Sequence, residues 1–370
     1  MDILRVAQHV HPDRLGGASY HVHALSRDQA AMGHDVTVLT TTDDPSRVGT
    51  SDQKGYTVER VSAGPSPLGN DLSPAAIRYL RARHGSVDIV HAHSHLYFLS
   101  TLAGVLSGST PVVLTNHGLY SQRIPKRLFD IHLRTLGRFT LNRADRIFTY
   151  TEIDRDRLRS RGVTVPIDVI PNGIDVDRFT PDGPTMSFTG QGPNLLFAGR
   201  LVEGKRPGLV IDAMNDVLEH SPDATLHIVG EGPLEPTLRS QRDQRLPPRA
   251  VSFHGHVPYD EMPSLLRSVD VTILPSRVEG LPRILLESLA CGTPIVATDL
   301  PTIPESFASC GRLINSPTAP VLADAILELL SSDRRHLGER GRTLVTTAYN
   351  WANTADRTTT AIAAVCEANR

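Results

Sequence analysis

The stretch VTILPSRVEGLPRILLESLACGTPIVATDLP, Val271–Pro301, decides the fold. Val271–Leu274 reads as a short apolar strand that stops at a proline. A loop carrying Glu279 follows, and then a helix that ends at Cys291–Gly292. Glu287 is expected about two turns into that helix. Ile295–Ala297 is the next strand. Nearly continuous apolar strands with helices between them imply a parallel sheet covered on both faces.

The same alternation extends in both directions. Strands are predicted at Ile3–Val10, Val36–Thr40, Ile89–Ala92, Pro111–Thr115, Ile147–Tyr150 and Ile167–Ile170, and again at Leu195–Ala198 and Leu226–Val229. Val22, Leu25, Gln29 and Met32 fall on one side of a first helix, with Gln29 the polar exception, and Gly33 ends it. The polar, Gly/Pro-rich run Thr180–Asn194 is the linker candidate. At roughly 100–200 residues per domain, 370 residues suit two domains. The expected fold is α/β, with two Rossmann-like, doubly wound parallel-sheet domains, 1–180 and 181–348. A terminal helix, 349–370, carries the single tryptophan, Trp351, and is expected to cross back to the first domain. In such sheets ligands sit beyond the carboxyl ends of the strands. Those edges of the two domains are expected to face one another across a central cleft.

With 39% hydrophobic and 21% charged residues, the composition is that of an ordinary globular protein. A net charge of −2 argues against wholesale nucleic-acid binding. Arginine outnumbers lysine, as in a high-GC prokaryotic genome. Three scattered cysteines, Cys291, Cys310 and Cys366, give no disulfide framework or zinc spacing, and read as buried small hydrophobes. The amino terminus reads as a strand rather than a signal peptide, and the longest apolar run, Leu96–Leu106, is too short to span a bilayer. The expected location is cytoplasmic, with any membrane association peripheral.

Three segments carry candidate chemistry. In HPDRLGGASYHV, Gly16 and Gly17 lie between a strand and a helix, where glycine permits close backbone approach and the helix N-terminus offers unpaired N–H groups to an anion. In FAGRLVEGKRP, Arg200 and Lys205 follow a strand and suit a diphosphate. Arginine grips it in bidentate fashion, and lysine adds a point charge. In the opening stretch, Glu279 and Glu287 stand eight apart, and a carboxylate accepts two hydrogen bonds from a diol such as a ribose.

Together with DIVHAHS (Asp88–Ser94), LTNHG (Leu114–Gly118), VIPNGID (Val169–Asp175) and VGEGP (Val229–Pro233), these segments resemble the retaining glycosyltransferases of family 4, which have the GT-B architecture. The resemblance covers essentially the whole chain, with the motifs in the family order. It implies transfer of a sugar from a nucleotide-diphosphate donor, UDP-linked in first place and GDP-mannose next. The acceptor is a hydroxyl of a glycan, lipid or small molecule. It implies Glu287 on the donor ribose, Glu279 near the donor sugar, Arg200 and Lys205 as the diphosphate clamp, and His117 touching the sugar. Gly16 and Gly17 meet phosphate and acceptor, and the backbones of Gly280 and Leu281 meet sugar or phosphate. Pro282 stands where many relatives have glycine, so a backbone donor is lost there. The family mechanism needs no protein nucleophile. It implies no divalent metal and no cofactor.

Several other signals have competing readings. His91, His93 and His95 alternate and share a strand face that could hold zinc, whereas the family places that strand end beside the acceptor, with His93, His95 and Asn116 as acceptor contacts. The run 120–139 is basic and amphipathic, and Arg123, Lys126, Arg127, Arg134 and Arg138 suit anionic lipid or a solvated helix face equally. A sugar-nucleotide epimerase or hydrolase of the same architecture is the rival activity. A glycoside hydrolase needs two carboxylates about 5–10 Å apart across one bond, whereas the resemblance assigns Glu279 and Glu287 to different ends of the donor.

Overall fold

The computed structural model describes every residue except Leu15, 120–125, 189–191 and Arg370, and no side chain of Leu68, Lys126 or Leu128. The chain divides into two compact units, Met1–Pro171 with Asn353–Arg370, and Asn172–Ala352. The changeover lies at Pro171–Asn172, so Thr180–Asn194, read above as a linker, belongs to the second unit.

The first unit holds an eight-stranded sheet of β1 (Asp2–Val6), β2 (Asp35–Thr42), β3 (Gly49–Gln53), β4 (Tyr56–Ser62), β5 (Ile89–His93), β6 (Val112–Thr115), β7 (Arg146–Thr149) and β8 (Ile167–Val169). Their order is β3-β4-β2-β1-β5-β6-β7-β8, and only β3 runs antiparallel to its neighbour. The second unit holds a fully parallel sheet of β9 (Asn194–Ala198), β10 (Thr225–Val229), β11 (Val251–Gly255), β12 (Val271–Leu274), β13 (Ile295–Thr298) and β14 (Gly311–Ile314), ordered β11-β10-β9-β12-β13-β14. Each sheet reverses its winding once, between β1 and β5 and between β9 and β12. A reversal leaves a crevice, because the flanking loops turn to opposite faces.

Four strands escaped the sequence reading. β3 and β4 form a hairpin turning on Lys54 and Gly55, both at positive φ (54° and 88°), as a primed turn requires. β3 is polar and half-exposed, so it carries no apolar signature. In β14 a side chain at Gly311 would come within 2.0 Å of the Ile295 carbonyl oxygen, so the strand begins on a residue that is not a strand former. β1 is shorter than predicted, ending at Val6.

The central strands of each sheet are buried on both faces. In the second unit Leu195, Phe197, Leu226 and Ile273 pack against Val210, Met214 and Val217 of the helix Pro207–His220 and Leu322, Ile326 and Leu329 of the helix Ala319–Ser331. In the first unit the helix Trp351–Ala368 contributes Ile362, Val365 and Cys366 to the cluster around Ile3, Val36, Val58 and Ile89. The first helix runs Gly17–Ala31. Met32 lies beyond it and is 46% exposed, so it does not share the buried face with Val22 and Leu25.

Gln29 is fully buried because Arg5 is. Arg5 points from β1 under the helix, donating to Ser26 Oγ at 2.5 Å and to Gln29 Oε1. Gln29 in turn donates to Thr359 Oγ1 at 2.9 Å. Burial without a carboxylate in this network pulls the Arg5 pKa down to about 9. Beside it lies a layer of buried imidazoles. Burial holds His91 and His93 well below the ordinary histidine value of 6.5, and brings His95 and His117 down to about 4.

These histidines fold neutral but take up protons near pH 6.5 once unfolded. Below that pH the unfolded state binds more protons, so stability falls with falling pH and levels off above it. Each contributes roughly 1.4 kcal/mol per pH unit. Hydrogen exchange across β5 and β6 should therefore accelerate markedly between pH 7 and pH 5.5, after correction for intrinsic rates. Protection independent of pH over that range would show that these rings are not buried neutral.

Candidate functional site

In the second unit, β9 runs straight into Gly199–Arg200–Leu201, a short 3-10 turn Glu203–Lys205, and then the helix Pro207–His220. Arg206 joins turn to helix in the left-handed region (φ 55°, ψ 44°), held there by its Nη2 donating to the Pro317 carbonyl at 2.9 Å. Its pKa is lowered, first by burial and then by Arg277. The VGEGP loop after β10 lies flat against this segment. Gly230 has φ +123°, and a Cβ there would meet the Gly199 carbonyl oxygen at 2.1 Å, while one at Gly232 would meet that of Leu201 at 2.4 Å. Leu201 N–H donates to the Glu231 carbonyl at 2.9 Å, closing the contact. Two glycines are thus a steric condition for the loops at this edge.

The loop after β12 meets the same segment. Arg277 N–H donates to the Gly204 carbonyl at 2.9 Å, and Glu279 pairs with Lys205. Glu279 is 5% exposed, and its backbone carbonyl accepts from Thr302 Oγ1 at 2.7 Å. The structure therefore brings together two residues singled out from different motifs, at the winding reversal between β9 and β12. Arg200 lies exposed on the β9 loop. Gly280 and Leu281 are buried, and Pro282 caps the helix Arg283–Ala290, where its missing N–H leaves no helix donor unmet.

Glu287 is the fifth residue of that helix, just over one turn in rather than two. It accepts from Tyr259 Oη at 3.2 Å, and Arg283 Nη2 lies 3.4 Å away. Arg283 also donates to Tyr259 Oη at 2.7 Å, and the Arg178 guanidinium sits 4.4 Å over the Tyr259 ring. Burial raises the Glu287 pKa, opposed by Arg283 and the Tyr259 hydrogen bond. Arg283 was legible as an i, i+4 partner of Glu287. Tyr259 and Arg178, distant in sequence, carried no signal.

In the first unit, Gly16 precedes the first helix at φ +147°, a conformation suited to glycine, and Gly17 opens the helix. His93 ends β5, Asn116 and His117 follow β6, and Tyr150 follows β7. His117 Nε2 is 3.0 Å from His93 Nδ1, and His117 Nδ1 is 2.7 Å from Tyr150 Oη. His95 Nδ1 faces Asn116 Oδ1 at 2.9 Å, and His91 Nε2 faces Thr115 Oγ1 at 2.7 Å. His93, His95 and Asn116, expected as acceptor contacts, are buried to 2%, 1% and 0% exposure. His93 Nε2, His95 Nε2 and Asn116 Nδ2 have no hydrogen-bond partner among the described residues. The rings of His91, His93 and His95 thus engage separate partners. Among the described residues no group of three or more His, Cys, Asp or Glu is disposed to hold a metal.

The three cysteines are buried and free, and burial pushes the Cys291 thiol up to about 12. No described helix is long and apolar enough to cross a membrane. In the basic run 120–139, Arg123 and the Lys126 side chain lie outside the described residues. Arg127, Arg134 and Arg138 are exposed, with Ile131, Leu136 and Phe139 exposed beside them in sequence.

Residues 15–178 match the family model Glycosyltransferase Family 4, and residues 187–344 match Glycosyl transferases group 1. Glycogen synthase of Mycobacterium tuberculosis is 29% identical, over 97% of this chain and 93% of its own. D-inositol 3-phosphate glycosyltransferase of an Arthrobacter species is 29% identical over 92% and 88%. Sucrose-phosphate synthase of Thermosynechococcus elongatus superposes with a TM-score of 0.79 at 20% identity, covering 99% of both chains. Anabaena HepE in complex with UDP superposes at 0.78 and 18% identity, covering 98% of this chain and all of that one. The motifs, the paired doubly wound sheets and both family matches converge, and the chain belongs to the family 4 glycosyltransferases, with the GT-B fold.

Proposed function

We propose that this glycosyltransferase is a retaining, metal-independent enzyme that moves a hexosyl group from a nucleotide-diphosphate sugar to an acceptor hydroxyl. UDP is the preferred donor nucleotide, and GDP-mannose is next. The observation that carries the reading is the meeting of Lys205 and Glu279 at the β9–β12 reversal. Open α/β sheets bind ligands at that place. A buried carboxylate beside a cation suits a ligand that offers both anionic oxygens and hydroxyl groups. UDP bound to the HepE fold supports the nucleotide.

In this reading Glu287 accepts hydrogen bonds from the ribose, with Tyr259 and Arg283 orienting its carboxylate. Lys205 and Arg200 neutralise the diphosphate. Their effect grows as the leaving nucleotide gains charge, and such preorganised cations lower the barrier without a metal. Glu279 and His117 contact the transferred sugar, and the Gly16–Gly17 turn offers backbone N–H groups to phosphate and acceptor. Attack and departure share one face of the sugar, and the departing phosphate takes the acceptor proton. The protein supplies positioning and charge. Ile131, Leu136 and Phe139, exposed among arginines, support an acceptor presented at an anionic lipid surface.

Thermal unfolding with UDP, GDP, ADP and TDP tests the donor site. The preferred nucleotide at 100 times its Kd stabilises by about 2.7 kcal/mol, raising Tm by several degrees. Glu287→Ala should weaken that nucleotide by roughly 1.5–3 kcal/mol. A panel with no shift removes the donor site, and unchanged affinity removes the ribose role. UDP release independent of any acceptor would favour a hydrolase.

Arg200→Ala and Lys205→Ala should each cut turnover by roughly 10²–10³-fold. Lys205→Ala also strands Glu279, so the folded fraction is measured alongside. Turnover near wild type in either variant removes that residue from the clamp. Co-sedimentation with phosphatidylglycerol vesicles, lost on combined replacement of Arg127, Arg134 and Arg138 by Gln, tests the lipid surface. Equal binding to phosphatidylcholine vesicles would contradict it.

A further inference from the structure

The loop that leads from β1 to the first helix has an anchored half and an open half. Gln8 Nε2 donates to the Gly69 carbonyl at 2.7 Å, and the Gln8 carbonyl accepts from Thr40 Oγ1 at 3.0 Å. The His11 carbonyl accepts from Nε2 of Gln53, the last residue of β3, at 2.6 Å. Asp13 is taken up by two arginines. Arg60 of β4 donates from Nε to Oδ2 at 2.6 Å and from Nη2 to Oδ1 at 3.3 Å. Arg47, which ends the 3-10 turn Pro45–Arg47, donates to Oδ1 as well. Arg60 is itself tied across the hairpin, with Nη1 donating to Ser51 Oγ at 2.6 Å. Beyond Asp13 the chain opens out. Arg14, Gly16, Gly17 and Ala18 are exposed, and no side chain caps the helix that begins at Gly17.

Donors and acceptors in this anchorage have fixed roles. A guanidinium or amide nitrogen only donates, and an ionised carboxylate or a carbonyl oxygen only accepts. Two bonds from one guanidinium to one carboxylate fix a direction as well as a distance. The Arg60 and Asp13 side chains are 9% and 14% exposed, so water screens this pair less than a surface ion pair. The open half has no such means of its own. Two adjoining glycines carry no side chain to hold a conformation, and glycine is the least restrained residue in the unbound backbone. On the helix side the Gly16 carbonyl accepts from Tyr20 N–H and Ser19 Oγ, both at 3.0 Å. On the other side the last anchored residue is Asp13, three positions before Gly16. The place of the exposed turn is therefore set by what holds Asp13.

We propose that Arg60, Arg47 and Gln53 are positioning residues, which through Asp13 and the His11 carbonyl hold the exposed Gly16–Gly17 turn in one place for transfer. The proposal rests on the reading above that this turn meets phosphate and acceptor. None of the three touches substrate, and each acts through the loop. Backbone donors stabilise developing charge best when they are already in position and need no reorganisation as the reaction proceeds. A glycine turn gains that property only from a supporting shell. The β3–β4 hairpin, a polar addition at the edge of the sheet, supplies it.

UDP release from UDP-glucose, expressed per folded molecule, separates positioning from simple stability. Arg60→Ala and Asp13→Asn should each lower kcat about 10–100-fold, with KM for UDP-glucose changed less than about threefold. Arg60→Lys keeps the charge and a donor and should recover most of the loss. The double variant Asp13→Asn/Arg60→Ala should be no worse than the worse single one, since both remove the same support. A hairpin that only stabilised the fold would lower Tm and the folded fraction and leave kcat per folded molecule at the wild-type value. That result overturns the proposal. Hydrogen exchange of the peptide 7–20 gives a readout independent of turnover. Its His11, Arg14 and Tyr20 amides donate to the Ser19, Val10 and Gly16 carbonyls. Arg60→Ala should speed their exchange while peptides from β5 and β6 exchange as in the wild type. Unchanged exchange in 7–20 also overturns the proposal. Gly16→Ala tests the turn itself, because alanine is strained at φ 147° and should lower kcat too. If Gly16→Ala turns over like the wild type, or the wild type releases no UDP, the reading of the turn fails and takes the positioning role with it. Exchange in 7–20 still shows in that case whether the hairpin holds the loop.

Discussion

Parallel strands leave all their carboxyl ends on one edge, and a single reversal of winding opens a gap in the loops along that edge. In the second sheet this happens between β9 and β12, and the site is assembled around that gap. The β9 loop brings Lys205, the β12 loop brings Glu279, and the ion pair between them joins two segments 74 residues apart. The β10 loop packs against the β9 loop from the other side. Gly230 and Gly232 let its backbone rest directly on Gly199 and Leu201, at distances a Cβ would forbid. Close approach at two glycines and one ion pair thus join the loops that carry the candidate site residues.

The first unit meets a different constraint. Its core holds a fully buried arginine and a layer of buried histidines, groups that interiors normally exclude unless they are paired. Part of their hydrogen-bonding capacity is met by buried neighbours. Arg5 is taken up by Ser26 and Gln29, and His91 by Thr115. His117 bridges Tyr150 and His93. Burial lowers the pKa of these rings, so a proton gained there costs stability. Its counterpart is geometric definition. Side chains from β1, β5, β6, β7 and the first helix are held in register with one another, and His117 sits where the strand edge meets the helix start.

The two units therefore use opposite electrostatics. Lys205 pairs with one buried carboxylate of the second, Glu279, and Arg283 and Arg178 stand near the other, Glu287, an arrangement of fixed opposite charges. The first relies on neutral hydrogen bonding around a histidine cluster. Fixed charge suits a diphosphate whose negative charge increases as it leaves, whereas neutral donors and acceptors suit sugar hydroxyls.

Much of this was legible before any coordinates. Ten strands and the two-sheet architecture follow from local runs, because a buried parallel strand is a local apolar signal, and Arg200, Lys205, Glu279, Glu287 and His117 stand out as candidates because their motifs are contiguous. The strands β3, β4, β11 and β14 were not read. β3 is polar, and β14 begins on a glycine needed for close strand contact. Tyr259, Arg178, Tyr150 and His21 were not assigned roles, since each reaches its partner from 28 to 129 residues away and no spacing rule spans such distances. Sequence by itself determined the element types, the family and the chemistry of the groups at the strand ends, all properties of short segments. Only tertiary structure decided which groups touch, that His93, His95 and Asn116 are buried, and that Lys205 is held by Glu279. Those facts depend on which loops the winding reversals bring together, and that is a property of the whole sheet rather than of any stretch of chain.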